Sequence, residues 1–272
     1  MKKIPVIRCV CILFAVLLLW QNLGIQVDEQ ELCFSDLPTN GELRIVQISD
    51  LHGREFGKEN KRLLKRVSQA EPDLICITGD LFGSEEEARI LPELLEDLCE
   101  LAPVYYVTGN HEWQVEDLQG YLEEMEDLGV HVLRDAYEVL QWQGKHLILA
   151  GIDDPCGPLE RKGAQALMEQ IRREQGQEAF VILLSHRNDV ISFCAEQDIA
   201  LTLSGHCHGG VVRLPVVGGV FGPQRTLFPD YDSGLYLREN SQLYVSRGLG
   251  YSRMKLRVFN PPHLPVLVLK GK

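Results

Sequence analysis

The chain has 272 residues, 45% of them apolar, and a formal net charge of −12. That is enough for one or two domains around a sizeable core, and too apolar for a disordered chain. Residues 1–160 carry 13 basic against 30 acidic side chains, and residues 161–272 carry 14 against 9. So acidic a first half excludes a broad phosphate-tracking surface, and no nucleic acid is expected as a partner. The late basic residues Arg247, Arg253, Lys255 and Arg257 could hold an anionic ligand, face anionic lipid or form a solvated face. The eight cysteines have no framework spacing, so most read as small buried hydrophobes.

The N-terminus is MKKIPVIRCVCILFAVLLLWQNLG, with Lys2, Lys3 and Arg8 ahead of an apolar run from Cys9 to Trp20. Alone, that run matches the h-region of a signal peptide. With Ile4–Ile7 it reaches the lower edge of the roughly 17–25 residues that span a bilayer. No small-x-small cleavage site follows, so residues 1–23 are expected to form an uncleaved signal anchor or transmembrane helix. The basic end would stay in the cytoplasm and the main domain would lie on the extracytoplasmic side of the cell membrane. Residues 24–42 read as a polar linker and residues 43–272 as the main domain.

From residue 43 strand and helix alternate. Leu43–Ile48 is a short β-type run that ends at Ser49-Asp50-Leu51-His52. A helical pattern with Leu63, Leu64 and Val67 follows, then the buried-strand run Asp73–Thr78, ending in Gly79-Asp80. A second helix over 85–101 leads to Val104–Thr108 and Gly109-Asn110-His111-Glu112. A third, over 114–128, leads to Val130–Leu133. Val139–Trp142 and His146–Ala150 flank Gln143-Gly144 as a hairpin. A helix over 159–175 precedes Phe180–Leu184, which ends at Ser185-His186. Ile199–Leu203 ends in Gly205-His206-Cys207-His208-Gly209-Gly210. Short runs near 235–237, 242–246, 255–259 and 264–269 read as antiparallel strands.

This alternation predicts βαβ units and an α/β fold: two facing mixed sheets flanked by helices, a four-layer α/β/β/α sandwich. In such sheets ligands bind at the carboxyl ends of strands. Those ends carry Asp50, His52, Asp80, Asn110, His111, His186, His206 and His208. Histidine mixed with carboxylate suits Mn²⁺, Fe²⁺ or Zn²⁺, whereas an all-oxygen set suits Mg²⁺ or Ca²⁺. In extended backbone His206 and His208 share one side and Cys207 faces the other. Cys207 is thus expected in the core, with a thiolate ligand as the alternative. The glycines beside them allow close backbone approach. His131, His146 and His263 lie outside every motif and read as ordinary structural histidines.

The ordered set D-x-H, G-D, G-N-H-E, H and G-H-x-H resembles the calcineurin-like metallophosphoesterases, over about Leu43 to Pro262. The resemblance implies two divalent metal ions, with Asp80 bridging them. Asp50, His52 and His208 would complete one site, and Asn110, His186 and His206 the other. It further implies attack on a phosphodiester or pyrophosphate by a metal-bridging hydroxide, with His111 as general acid. Glu112 is expected to orient that ring, as carboxylates beside a functional imidazole commonly do. The N-terminal run, GIDDP at 151–155 and the C-terminal tail are similar to a membrane-anchored bacterial branch that includes UDP-2,3-diacylglucosamine pyrophosphatases. That likeness implies a lipid-linked substrate. Two positions depart from the pattern: Val211 where anchored members often have Gln, and Arg187-Asn188-Asp189 where many have Pro two places after the histidine. Both lie on the substrate side. Rival expectations are a phosphoesterase for soluble substrates, a nuclease and a non-catalytic metal-binding module.

Overall fold

The structure, a computed structural model, describes residues 8, 12, 16, 21–158, 162–222, 226–251 and 257–272. In chain order the first half contains strands β1 (Gln26–Phe34) and β2 (Glu42–Ile48), helix α1 (Lys61–Gln69), β3 (Leu74–Thr78), helices α2 (Glu85–Ala88) and α3 (Leu91–Leu101), β4 (Val104–Val107), α4 (Leu118–Asp127) and β5 (His131–Val132). The second half contains β6 (Ala136–Trp142), β7 (Lys145–Ile152), α5 (Gly163–Gln175), β8 (Phe180–Ser185), α6 (Ile191–Glu196) and β9 (Leu201–Ser204). The small hairpin β10 (Arg213–Leu214) and β11 (Gly218–Gly219) follows, then β12 (Gly234–Arg238), β13 (Ser241–Val245) and β14 (His263–Gly271).

Two six-stranded sheets result, ordered β1-β14-β2-β3-β4-β5 and β12-β13-β9-β8-β7-β6. Each is mixed: β2 to β5 run parallel while β14 is antiparallel to β2, and β7, β8, β9 and β13 run parallel while β6 and β12 are antiparallel. Gln143-Gly144 turns the β6–β7 hairpin, as its sequence indicated.

Period-two alternation explains the four layers. In β2 and β3, Val46, Ile75 and Ile77 face α1, α3 and α4, where they meet Leu63, Val67, Leu94, Leu98, Leu122 and Met125. Their neighbours Ile45 and Cys76 point the other way, into the layer between the sheets, against Leu149, Ile182 and Leu203. Ile148, Val181 and Leu183 face outward again and pack on Leu167, Met168 and Ile171 of α5. Both faces of each central strand are therefore buried, which is why these runs read as continuously apolar. Gln47 crosses the middle layer, its amide donating to Thr78 Oγ1 and to Ser204 O, both at 2.9 Å, so the two sheets are pinned beside the strand ends.

The expected linker is not one: residues 26–34 form β1, paired parallel with β14 over nine positions. It is an edge strand, so its outward side chains stay in water. Glu29 pairs with Arg44 at 2.7 Å and Glu31 with Lys270 at 2.6 Å, while only Leu32 and Phe34 are buried. That exposure gave the segment its linker-like polarity. β13 and β14, read as antiparallel, each take one parallel neighbour as well.

Of the expected membrane segment, only Arg8, Ile12, Val16 and residues 21–23 are described, and the rest lies outside the described residues. Among the described residues no helix is long and apolar enough to cross a membrane. Part of the run expected at 255–259 also falls outside; Val258 forms a single bridge to Val212. Cys76, Cys194 and Cys207 are buried free thiols, as expected, but Cys33 and Cys156 are exposed.

Candidate metal centre

Five strand ends converge between the sheets. Asp50 and His52 follow β2, Asp80 follows β3, Asn110 and His111 follow β4, His186 follows β8, and His206 and His208 follow β9. Two groups of ligand-type atoms form, each within a 4.8 Å spread: Asp50, His52, Asp80 and His208, and Asp80, His186 and His206. Asp80 belongs to both. Its Oδ2 lies 3.3 Å from His186 Nε2 and 3.7 Å from His52 Nε2, while Oδ1 accepts the His111 backbone N–H at 2.9 Å.

The nitrogen pairs indicate what belongs between them. His52 Nε2 and His208 Nε2 are 3.2 Å apart, and His206 Nδ1 and His186 Nε2 are 3.1 Å apart. Two nitrogens each about 2.1 Å from one cation stand roughly 3.0–3.4 Å apart at octahedral to tetrahedral angles. Asn110 Oδ1 is buried without a hydrogen-bond partner among the described residues, as an oxygen reserved for a cation would be. The residues present fit a metal pair.

The second nitrogen of His186 is committed elsewhere. Nδ1 donates to Thr78 O at 2.9 Å, which fixes the tautomer and aims Nε2 at Asp80. Burial holds the protonated form down in His52, to about 4, and in His206, to about 3, and pushes His208 well below the ordinary range. At neutral pH these three rings carry free lone pairs. Burial also disfavours a charged His186, but Asp80 and Asp50 outweigh it and raise its pKa to about 10. Burial likewise opposes a charged Asp80, and the surrounding imidazoles overcome it, holding its carboxyl well below the usual range. Asp50, fully buried, is pushed up to about 6 by burial despite His186 nearby.

The backbone differs from the extended form that the H-x-H spacing suggested. Asp50, His52, Asp80, His206 and His208 all have φ between 48° and 67°. Cys207, between the last two, is helical at φ −78° and ψ −13°. The outcome for the side chains is the expected one, reached by a different path: both rings enter the cluster, and Cys207 packs on Ile191, Leu243 and Val245. Left-handed backbone costs a non-glycine residue about 1–2 kcal/mol, and such strain collects at functional sites. Gly205 is required for another reason. A Cβ there would lie 1.9 Å from Ser49 Oγ and 2.4 Å from Asp50 Oδ2.

Glu112 has another role than the expected one. Its Oε2 accepts the backbone N–H of Asp80 at 3.1 Å and of Gly109 at 2.9 Å, and its Oε1 accepts that of Leu81 at 2.7 Å. It therefore ties the Asp80 turn to the Asn110 turn. Burial, reinforced by Asp80, raises its pKa to about 8. The His111 ring instead stands edge-on to His52, with centroids 4.8 Å apart, in space left by the side-chain-free Gly83.

Arg187 was noted only as a departure in sequence. It forks onto Asp154 of GIDDP, at 2.6 and 3.1 Å, and its Nη1 reaches His206 Nε2 at 3.0 Å. Burial opposes a charged Asp154, but this fork holds its carboxyl below the usual range. An Arg at the start of a loop and a doubled Asp at the next strand end were the available signals. The remaining histidines stand apart from the cluster. His131 bonds Glu138, His146 is exposed, and His263 accepts the Arg247 N–H at Nδ1 while its Nε2 faces Asp28 at 3.1 Å.

A four-layer sandwich with such a cluster at its carboxyl strand ends defines a candidate metal-binding α/β protein. The chain belongs to the calcineurin-like phosphoesterases, hydrolases of phosphoesters, whose family profile matches residues 43–210. It is 31% identical over 255 residues to an uncharacterized metallophosphoesterase of Aquifex aeolicus, covering 91% of this chain and 93% of that one. It is 28% identical over 241 residues to the phosphodiesterase YaeI of Escherichia coli, covering 83% and 82%. Among solved structures, the sulfate thiohydrolase SoxB of Thermus thermophilus shares the fold, at TM-score 0.53 and 15% identity, over 86% of this chain and 58% of that one.

Proposed function

We propose that the chain hydrolyses a phosphodiester or pyrophosphate bond with two divalent cations, of the Mn, Fe or Zn kind, held side by side. The observation that carries this is Asp80, whose one carboxylate serves both ligand groups. Asp50, His52 and His208 would hold one cation with it; Asn110, His186 and His206 would hold the other. Bound there, such a pair supplies a Lewis-acid clamp on the phosphoryl oxygens and lowers the pKa of water.

The chain's own residues do the rest. Thr78 O keeps His186 in the ligating tautomer, and Glu112 holds the Asp80 and Asn110 turns in register. His111, fixed through its backbone to Asp80, donates a proton to the leaving oxygen. Arg187, steadied by Asp154, brings a guanidinium to the substrate side, where it favours an anionic group. The membrane anchor over residues 1–23, with the catalytic domain outside the cell membrane and a lipid-linked substrate, is part of this reading. It is supported by the apolar N-terminal sequence. A phosphodiesterase or phosphomonoesterase for soluble small-molecule or nucleotide substrates is the second reading; the name of the E. coli relative, a phosphodiesterase, agrees with a diester under either reading.

The test is hydrolysis of bis-p-nitrophenyl phosphate by the metal-stripped full chain, with Mn²⁺, Zn²⁺, Mg²⁺ or Ca²⁺ returned singly and bound metal counted. Turnover should return with Mn²⁺ or Zn²⁺ and fall by about 10³-fold or more in Asp80→Asn, on the scale of losing several kcal/mol of charge stabilisation. Folded protein that takes up no metal would sink the reading.

A further inference from the structure

The segment that follows His208 is built unlike the rest of the surface. β10 and β11 form one small hairpin, and Phe221 bridges Leu227 beside it. The base is held fast. Arg213 Nη1 donates to Gly209 O at 2.9 Å and to Asp232 at 2.8 Å, Asp232 also accepts the Gly219 N–H, and the Phe221 N–H reaches Gly210 O at 3.1 Å. The tips, by contrast, are apolar and open. Val216 is fully exposed, and Val217, Leu227 and Phe228 are each more than half exposed. Leu214, Val216 and Val217 line one depression together with Phe259, about 430 Å³ in volume.

Folding does not account for these choices. Val216 sits at φ +71° and Phe228 at φ +53°. A β-branched or bulky residue is a poor occupant of that backbone, where Gly or Asn is favoured, and an exposed turn adds no burial to compensate. Clustered apolar side chains of this kind mark a contact surface. What they meet is indicated by where the N-terminus leaves the domain. Asn22 clamps the backbone of Arg257 from both sides, its Nδ2 donating to Arg257 O at 2.8 Å and its Oδ1 accepting the Arg257 N–H at 3.1 Å. Val258, the next residue, bridges Val212 and accepts the Arg213 N–H at 3.0 Å. The apolar sequence Cys9–Trp20 therefore joins the domain beside the base of the hairpin, and Leu23 there is itself exposed.

We propose that the surface of Leu214, Val216 and Val217 with Leu227 and Phe228 forms an interfacial membrane contact, whose apolar side chains enter one leaflet of a lipid bilayer. The metal-centre mouth then sits at headgroup level, because the segment begins three residues past His208. The β10–β11 hairpin suits this place, since its two strands pair with each other and its apolar side chains are the part that stands out. The inference rests on the membrane part of the reading above, and deepens it by giving a membrane-borne phosphoester a route to the site.

The experiment places a tryptophan at the tip, Val216→Trp, in the full chain reconstituted with vesicles of phosphatidylcholine and phosphatidylglycerol, with and without bromine on the acyl chains. Phe228→Trp reports on the flank beside the Phe221–Leu227 bridge, and Val139→Trp, on the opposite edge strand of the second sheet, is the control. The parent emission is subtracted in each case. The Val216 and Phe228 reporters should lose emission by roughly twofold or more in brominated vesicles, while the control changes little. Equal quenching at all three positions would overturn the proposal. So would shielding of the tip that depends on protein concentration without lipid, which would assign the surface to a second copy of the chain. Turnover of bis-p-nitrophenyl phosphate, measured in the same samples, judges the catalytic reading separately.

Discussion

Within about twenty residues the chain inverts the ordinary rule of burial twice, in opposite senses. His208 brings a polar ring into a pocket with two buried aspartates, while Val216 and Phe228 hold apolar side chains out in water. The polar pocket is nearly balanced: its carboxylates face imidazoles, Thr78 O, Ser49 and Glu112 bond His186, Asp50 and the Leu81 N–H, and among the described residues Asn110 Oδ1 alone of the oxygens there stays without a partner. The apolar rim has no such balance among the described residues. A polar cluster explained from within is complete once its cations are supplied, whereas an apolar rim left open is explained only by something outside the chain.

Variants at three places, His111, Glu112 and the Val216–Val217 tip, bear on that contrast, beyond the two experiments above. His111→Ala strikes the pocket where the proton is delivered, and should lower turnover of bis-p-nitrophenyl phosphate by about 10²–10⁴-fold. Metal stoichiometry should be unchanged, and metal loss in this variant would reassign His111 to holding the centre. Glu112→Ala strips the acceptor from three backbone N–H groups. With each orphaned donor costing about 1–3 kcal/mol, less whatever water recovers, a loss on the order of 3 kcal/mol in urea unfolding is expected. Glu112→Gln should restore part of it. The paired change Val216→Ser with Val217→Ser should be the mildest, altering unfolding free energy by no more than about 0.5 kcal/mol and leaving soluble-substrate turnover intact. A large stability loss there would mean the rim is packed, and the contrast would collapse.

Much of the fold was legible because the central strands are buried on both faces. LRIVQI, DLICIT and FVILL could only be covered strands, and each ended on a ligand-type residue. β1 was hidden by its position: an edge strand bearing Glu29 and Glu31 satisfies them with Arg44 and Lys270, partners remote in sequence. The metal-type residues were visible as an ordered set, but their backbone was not. Nothing in G-H-C-H-G distinguishes an extended run from one alternating between left-handed and right-handed turns, since both send the rings the same way. Glu112 was named for the wrong partner because adjacency to His111 suggested a ring contact, whereas the 3₁₀ turn at 112–114 swings its carboxylate back under Asp80. The Arg187–Asp154 fork joins residues 33 positions apart, and no local pattern announces it.

The parallel pairing of β1 with β14 also fixes how the domain bears a load. Nine register pairs link the strands, from Gln26 with His263 to Phe34 with Gly271. A pull applied to Gln26 along the strand axis would load these pairs together in shear instead of parting them one at a time. A chain tugged from its amino end would therefore yield abruptly, at a higher force than a peeled hairpin.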